Sequence, residues 1–309
     1  MKSFFLPVLT ALVALTALPA CSGGTAAKDD TATSDSGSGN PMDAFVNTTS
    51  TYVGDTTCYN GDGVSWLQQT PATGCTGDMT VSATVSDFQQ DLPVADASVY
   101  FWSNDDINST PDMSFDVDAN GAGSITVPAC TALGYETYTP AAWEETVNTY
   151  EVHQVYEWDA SGATTDTWNS VSVATSRLIP SLLGLEWESG TAIIAGTAYD
   201  CNMGKIQHAQ VYIHDADGNV PPDLAVRYFA NNLPNSDQPD TNDDGLWSAI
   251  NVPPGDWIVE MWVWDGTQYL MMGSTHLTME PDSVVISNIY TGIEDGVYLP
   301  ASCLATCGG

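Results

Sequence analysis

Basic residues are scarce in this chain. It has 309 residues, with 5 Lys and Arg against 39 Asp and Glu, and its formal net charge is −34. Binding to phosphate groups depends on Lys and Arg side chains, so this composition excludes a nucleic-acid partner and adhesion to anionic lipid headgroups. The acidic excess would attract divalent cations. A saline habitat would explain it equally well, because salt screens the repulsion between carboxylates.

Motifs for redox and zinc chemistry are also missing. No two cysteines have Cys-x-x-Cys spacing, and the four histidines lack the spacing of zinc ligands. Ser274 and His276 are close in sequence, but no acid partner or nucleophile elbow accompanies them. We therefore predict a protein without enzymatic activity and without an organic cofactor, leaving Ca²⁺ as the one candidate ion.

Only the N-terminus contains a long apolar run. It extends from Phe4 to Leu18 and is too short to span a bilayer comfortably. It ends in Leu-Pro-Ala-Cys at positions 18–21, which resembles the lipobox of bacterial lipoproteins. The resemblance implies that residues 1–20 are a signal peptide and that Cys21 carries lipid in the mature chain. A simple secretory signal followed by an unrelated cysteine is the alternative.

The same resemblance predicts where the protein resides. A membrane would be its partner through the lipid alone, since no later segment has membrane-spanning length. Ser22, as a residue other than Asp after the lipidated cysteine, implies the outer membrane or the cell surface. Residues 21–44 consist mostly of Ser, Gly, Thr, Ala and Asp, a composition that predicts a flexible tether.

The remaining cysteines predict disulfide bonds. An even set of six in an exported protein is typical of a disulfide framework. Three lie in the first part of the chain and three in the second, so at least one bridge must join the two parts if all six pair. The candidates are Cys58, Cys75, Cys130, Cys201, Cys303 and Cys307.

Beyond the tether, the sequence has the pattern of a β protein. Short alternating runs such as Tyr150–Tyr156 lie between clusters of Gly, Asn, Asp and Pro. The segment Val94–Phe101 matches Ile206–Ile213 position by position, which indicates an internal repeat. The predicted fold is all-β, with two tandem antiparallel β-sandwiches of transthyretin-like or immunoglobulin-like form.

The repeat predicts the domain boundaries. We expect one sandwich at 45–160 and a second at 191–309, joined by a linker at 161–190 that contains a short helix near Thr175–Leu185. Pro180 would have to sit near the start of that helix or kink it. The predicted core residues are apolar members of the alternating runs: Val99, Phe101, Tyr150, Tyr156, Val211, Ile213, Trp257 and Val259.

The second copy also carries a family resemblance. Its segments Gly196-Thr-Ala-Tyr-Asp200, Ala209-Gln-Val-Tyr, Asp243-Asp-Gly245-Leu-Trp and Val252-Pro-Pro-Gly255 resemble the carboxypeptidase regulatory-like domain. The resemblance implies a seven-stranded, transthyretin-like sandwich. It implies little about function, because such domains accompany many kinds of protein. No peptidase residues come with it, since the zinc-binding His-x-x-Glu motif is absent.

Both copies place an acidic cluster at the same hairpin. Each reads Asp-x-[Asp/Asn]-x-[Asp/Asn]-Gly, which is how a calcium loop opens, but neither has the acid required at the twelfth position. An Asx-rich turn is the interpretation we favour, because Asn-Gly and Asp-Gly adopt positive φ at little cost. The candidate Ca²⁺ ligands are Asp116, Asp118 and Asn120 in the first copy and Asp240, Asn242 and Asp244 in the second.

One predicted strand bears aromatic residues on both sides. Trp262 and Trp264 share the side opposite Trp257 and Val259, and Tyr269 lies nearby. This arrangement could be a platform that stacks against sugar rings. Packing against a neighbouring domain or loop is the alternative that we favour.

The function predicted from the sequence is therefore a structural, adhesive or binding role in a bacterial envelope, with an unidentified protein or polysaccharide partner. The alternative is a carbohydrate-binding module.

Overall fold

The structure is a computed structural model, and it describes residues 45, 50–59, 69, 71–72, 77–139, 146–294 and 297–304. The chain is almost entirely β, with 49% strand and 6% helix, which confirms the predicted fold class. Within the described ranges, no helix has the length and apolar character needed to cross a membrane. Cys21, the signal peptide and the tether lie outside the described residues.

The described residues of the first half form seven strands and a helix. The strands are β1 (Asp78–Asp87), β2 (Ser98–Trp102), β3 (Met113–Asp116), β4 (Ala122–Pro128), β5 (Ala132–Tyr138), β6 (Thr146–Val155) and β7 (Ala163–Ser172), and the helix is α1 (Val173–Leu182). Strands β4, β1 and β7 form one layer, and β3, β2, β5 and β6 form the other. Between them lies a core in which Phe101, Tyr135 and Trp168 are fully buried.

In the second half, the part of the chain that the structure describes forms nine strands and a short helix. They are β8 (Ala192–Tyr199), β9 (Ala209–His214), β10 (Ala225–Ala230), β11 (Leu233–Asn235), β12 (Leu246–Val252), β13 (Gly255–Trp264), β14 (Tyr269–Met279), β15 (Ser283–Ile286), β16 (Ile289–Tyr290) and α2 (Ala301–Leu304). A three-stranded sheet, β14-β13-β9, packs against the layer β11-β10-β12-β8-β15. Trp247 and Met261 are buried between these layers.

Strand β15 joins the two halves into one continuous sheet. It runs parallel to β8 on one side and parallel to β6 of the first half on the other. The β1–β7 pair is parallel as well. These pairs depart from the predicted antiparallel sandwiches, because parallel neighbours need a long connection and the sequence pattern reveals only the hairpins between close strands.

The segment predicted to be a linker contributes to the fold of the first half. Its residues 163–172 form β7, which pairs with β1 along its length and buries Trp168 and Val171. The predicted helix is present as α1, where the Ser172 hydroxyl caps the N-terminus by accepting from the Thr175 N–H at 3.2 Å. Pro180 lies in the last turn of α1, not near its start.

Two terminal arms, residues 50–59 and residues 297–304, each pack against the half of the molecule opposite to the one predicted; we call them the crossed arms. Residues 50–59, predicted to belong to the first sandwich, lie against the second half, where Val53 bridges Gln207. Residues 297–304, predicted to belong to the second sandwich, pack against the first half, beside Met79 and Ala129. The repeat cannot reveal this exchange, because neither arm is part of the repeated pattern.

Each crossed arm is fixed by a disulfide. Cys58 is bonded to Cys201, with Cα atoms 5.6 Å apart, and Cys130 is bonded to Cys303, at 5.4 Å. Both bridges join the first part of the sequence to the second. The other two disulfide candidates, Cys75 and Cys307, lie outside the described residues.

The predicted core residues are buried with one exception. Val99, Phe101, Tyr150 and Tyr156 lie inside the first half, and Val211, Ile213 and Val259 lie inside the second. Trp257 is half-buried at the edge of the second core, and its indole N–H donates to the carbonyl of Pro253 at 2.8 Å. An edge position suits this side chain, because its polar atom needs a partner.

Candidate functional site

Strand β13 has one apolar side and one aromatic side. Val259, Met261 and Val263 point inward and are fully buried. Trp262 and Trp264 alternate with them and point to the outer side, where both are half-buried. This is the alternation that a strand with one covered face requires. The two tryptophans therefore lie outside the core that the sheets enclose.

Neighbouring strands add two tyrosines to the same side. Tyr269 of β14 is opposite Trp264, with ring centroids 5.1 Å apart. Tyr212 of β9 lies opposite Glu260, two residues before Trp262. We call Tyr212, Trp262, Trp264 and Tyr269 the aromatic face. Three of these residues lie on one predicted hairpin, and the pairing of β9 with β13 adds Tyr212 as the fourth.

The ring of Phe45 lies on the aromatic face. Its centroid is 5.1 Å from that of Tyr269, 5.7 Å from that of Trp262 and 6.1 Å from that of Tyr212. Pairs in this distance range contribute roughly 0.5–1.5 kcal/mol each beyond the area that they bury. Phe45 is remote in sequence and belongs to no repeated motif, so no sequence signal indicated this contact.

Glu260 and His214 form a pair that borders the aromatic face. Glu260 accepts a hydrogen bond from the indole N–H of Trp262 at 2.8 Å, and its other oxygen lies 3.3 Å from His214 Nε2. His214 Nδ1 lies 2.6 Å from the carbonyl oxygen of Asp215. Both ring nitrogens thus face acceptors, and the pKa of His214 is raised, chiefly by the hydrogen bond to Glu260. The face therefore combines closely packed aromatic rings with a carboxylate and an imidazole.

The first acidic hairpin uses its side chains in a turn. The Asp118 carboxylate accepts from the backbone N–H groups of Asn120 and Ala122 at 2.8 and 2.9 Å, and these bonds lower its pKa. Asp116 accepts from the hydroxyl of Ser98 at 2.7 Å. Gly121 has φ +72°, and a Cβ there would lie 2.9 Å from a backbone carbonyl oxygen. These contacts match the Asx turn that the sequence analysis favoured.

The second acidic hairpin has the same character. The Asp244 carboxylate accepts from the N–H groups of Leu246 and Asn232 at 3.1 and 3.0 Å. The Asn242 side chain accepts from the next N–H along the chain at 2.8 Å. Asp240 is buried, and its Oδ1 lies 3.2 Å from His208 Nδ1. Across the part of the chain that the structure describes, no three His, Cys, Asp or Glu side chains are grouped to hold a metal ion.

A half-buried histidine connects the two halves near β14. His153 Nδ1 makes a short contact with the Asp105 carboxylate, and His153 Nε2 lies 2.9 Å from the backbone oxygen of His276. Both partners are acceptors, so the doubly protonated ring satisfies both. Its hydrogen bond to Asp105 raises the pKa of His153 against the opposing effect of burial. We call this arrangement the His153 clip, and the sequence analysis did not identify it.

A second polar group lies inside the first half. Glu151 accepts hydrogen bonds from the hydroxyl of Tyr135 and from the side-chain amide of Asn169, the latter at 2.8 Å. Burial raises the pKa of Glu151 to about 7. Tyr156 donates to Asp166 of β7 at 2.7 Å. These side chains satisfy one another, so they stabilise the core.

Comparisons with known proteins do not assign a family. No family model and no curated protein matches the chain. Among solved structures, it is similar to the TIE protein of Bacillus anthracis, with 10% identity and a TM-score of 0.25 over 69% of this chain and 34% of that one. It spans only that third of the TIE chain.

Two pilins are similar to the same degree. The shaft pilin SpaA of Lactobacillus rhamnosus GG is 11% identical, with a TM-score of 0.24, over 72% of this chain and 100% of that one. The major pilin subunit BcpA of Bacillus cereus, as a D312A variant, is 10% identical with a TM-score of 0.22, over 69% of this chain and 99% of that one. Similarity at this level assigns no function to the chain.

Proposed function

We propose that this chain is an exported, lipid-anchored surface protein with a structural or adhesive role. The observation that carries the proposal is the pair of disulfides, because such bonds form and persist in oxidising compartments outside the cytoplasm. The Leu-Pro-Ala-Cys sequence at positions 18–21 supports export and supplies the lipid attachment. In a cell with two membranes, Ser22 favours the outer one.

The crossed arms suit a protein that bears load. A pull from a lipid at Cys21 would reach the second half first, through the Cys58–Cys201 bridge. The first half is joined to the second by strand pairing with β15 and by the Cys130–Cys303 bridge. Each bridge closes a long loop and would contribute on the order of 2–4 kcal/mol. Neither half is therefore a freely hinged unit.

The histidine environments support a non-enzymatic role. His153, His208 and His214 each contact a carboxylate. The other hydrogen-bond partners of the His153 and His214 rings are backbone carbonyl oxygens, and the His214 ring also packs against the ring of Tyr212. A nucleophile activated by a general base would instead require a hydroxyl or thiol within hydrogen-bonding distance of the ring. These pairs serve to join strands and loops.

Replacement of Cys21 tests the anchor. We expect Cys21→Ala to move the protein from the membrane fraction to the soluble exported fraction, because the thiol that carries the lipid is lost. Ser22→Ala is the matched control and should leave the protein in the membrane fraction. Fractionation followed by immunoblotting measures both. Membrane retention of Cys21→Ala would contradict lipid anchoring.

A second candidate function is saccharide binding by the aromatic face. Trp262 and Tyr269 present half-buried rings on the outer side of the sheet, beside the hydrogen-bonding groups of Glu260 and His214. Binding sites for small molecules typically combine apolar rings with a few placed polar groups. Such a site would give the surface protein its adhesive partner.

A further inference from the structure

We propose that the aromatic face is a binding site for neutral polysaccharide and that Phe45 occupies the position of one sugar ring until ligand displaces it. The inference rests on the second candidate function. Beyond that function, it names neutral polysaccharide as the ligand and Phe45 as a competitor within the chain, and it implies that loss of the Phe45 ring raises affinity for the ligand. Its observations are the position of Phe45, the polar border of the face and the charge of the chain.

The position of Phe45 shows that the face accepts a six-membered ring. The three centroid distances, from 5.1 to 6.1 Å, place this ring among Tyr212, Trp262 and Tyr269. Trp264 continues the surface beyond Tyr269. A pyranose ring is similar in size to a phenyl ring. The Phe45 ring meets its three neighbours at interplanar angles of 37–68°, so it presents C–H groups to them, as a sugar ring would. Two adjacent rings on the face would contact successive residues of a polymer.

The border of the face supplies groups that bind hydroxyls. Each Glu260 oxygen has capacity for a further hydrogen bond beyond those from Trp262 and His214. The Glu260 carboxylate is held in place by both partners, so it is oriented before a ligand arrives. Phe45 has no polar atom that can use these groups. A hydroxylated ring therefore gains contacts at this site that Phe45 does not make.

The charge of the chain selects a neutral ligand. A net charge of −34 repels uronic acids and phosphorylated glycans at long range. On the face itself, Glu260 would also repel an anionic substituent. Neutral hexose polymers carry no charge that the chain or Glu260 would repel, so they are the class of ligand that this site fits.

The arm can release Phe45 without leaving the protein. Beyond it, the Tyr52 N–H donates to the Trp264 carbonyl at 3.3 Å, and Cys58 is covalently bonded to Cys201. Displacement of Phe45 therefore breaks its ring contacts while the arm stays attached at Tyr52 and Cys58. Removal of those contacts should raise ligand affinity by at least about two- to tenfold, the factor that a single one of the three aromatic pairs represents.

Affinity electrophoresis in native gels tests the proposal with the full chain in mild detergent. Separate gels contain laminarin, mannan, xyloglucan or the anionic polymer polygalacturonate. We expect at least one neutral polymer to retard the wild-type protein and to retard Phe45→Ala more strongly. Trp262→Ala should abolish the retardation. Phe88→Ala, which removes an exposed phenylalanine of the first half, and Trp187→Ala are the matched controls and should behave as wild type.

Further variants keep the result decisive if Trp262→Ala unfolds, which a circular dichroism melt would show. Glu260→Gln removes the charge with little change in shape, and Trp262→Tyr retains a ring, so both should weaken the retardation with the fold retained. Absence of retardation by every neutral polymer, for wild type and for Phe45→Ala, would overturn the proposal. Equal retardation by polygalacturonate, or dimerisation of Phe45→Ala with no retardation, would also overturn it. Membrane fractionation of Cys21→Ala tests the anchor independently of all these outcomes.

Discussion

At the scale of single residues, the His153 clip links protonation to the contact between the halves. The ring lies between two acceptors, the Asp105 carboxylate and the His276 carbonyl oxygen. His153 also has φ +59°, and its N–H donates to Asp105 at 3.0 Å. After deprotonation of the ring, one of its two nitrogens would have no hydrogen to donate to the acceptor that it faces.

The raised pKa of His153 fixes the direction of a pH effect. Its contribution to stability is complete below the ordinary value of 6.5 and is lost as pH rises through the folded-state value. We expect the wild-type melting temperature to fall over this window more than that of His153→Asn. Asn suits a positive φ and can donate to Asp105, but it does not titrate. His208→Asn is the control, and a parallel pH profile for wild type and His153→Asn would contradict the assignment.

At the scale of elements, β7 shows where sequence patterns are insufficient. Its first five residues are exposed or half-buried, and only Trp168, Ser170 and Val171 are buried. The polar, Thr-rich start of β7 resembles a linker. It lacks the alternation of apolar and polar residues by which a half-buried strand is recognised, so the sequence pattern did not identify it. By contrast, β2 and β13 bury alternate apolar residues, and the sequence predicted both.

Replacement of Trp168 tests the role of β7. The side chain is fully buried and contacts the rings of Phe101, Phe115 and Tyr135. We expect Trp168→Ala to lower the free energy of unfolding by about 3–5 kcal/mol, the usual cost of removing a buried indole. Trp187→Ala, at a half-buried loop position, should cost clearly less. Chemical denaturation measures both, and equal effects would show that 163–172 behaves as a linker.

The candidate site was predictable only in part, for a related reason. Trp262, Trp264 and Tyr269 come from one hairpin, so local alternation placed them on one side of it. Tyr212, Phe45 and His214 reach the face through long-range pairing of β9 with β13 and through the N-terminal arm. Such contacts depend on the register of distant strands, which a single sequence does not specify.

At the scale of the whole molecule, the two disulfides differ in exposure. Cys58 and Cys201 are half-buried, whereas Cys130 and Cys303 are 1% and 0% exposed. Thiol–disulfide exchange requires access to sulfur, so a mild reductant should open Cys58–Cys201 first. Alkylation of new thiols followed by peptide mass spectrometry measures the order. Earlier labelling of Cys130 and Cys303 would contradict the described burial.

The crossed arms also change what a cut in the chain would do. A protease acting at the exposed residues Gly184, Glu186 or Glu188 would sever the connection between the two halves. The pieces would still be joined by two covalent bridges and by the pairing of β15 with β6. Cleavage there would yield a two-chain molecule that stays assembled on the cell, and surface proteases would have to act elsewhere to shed either half.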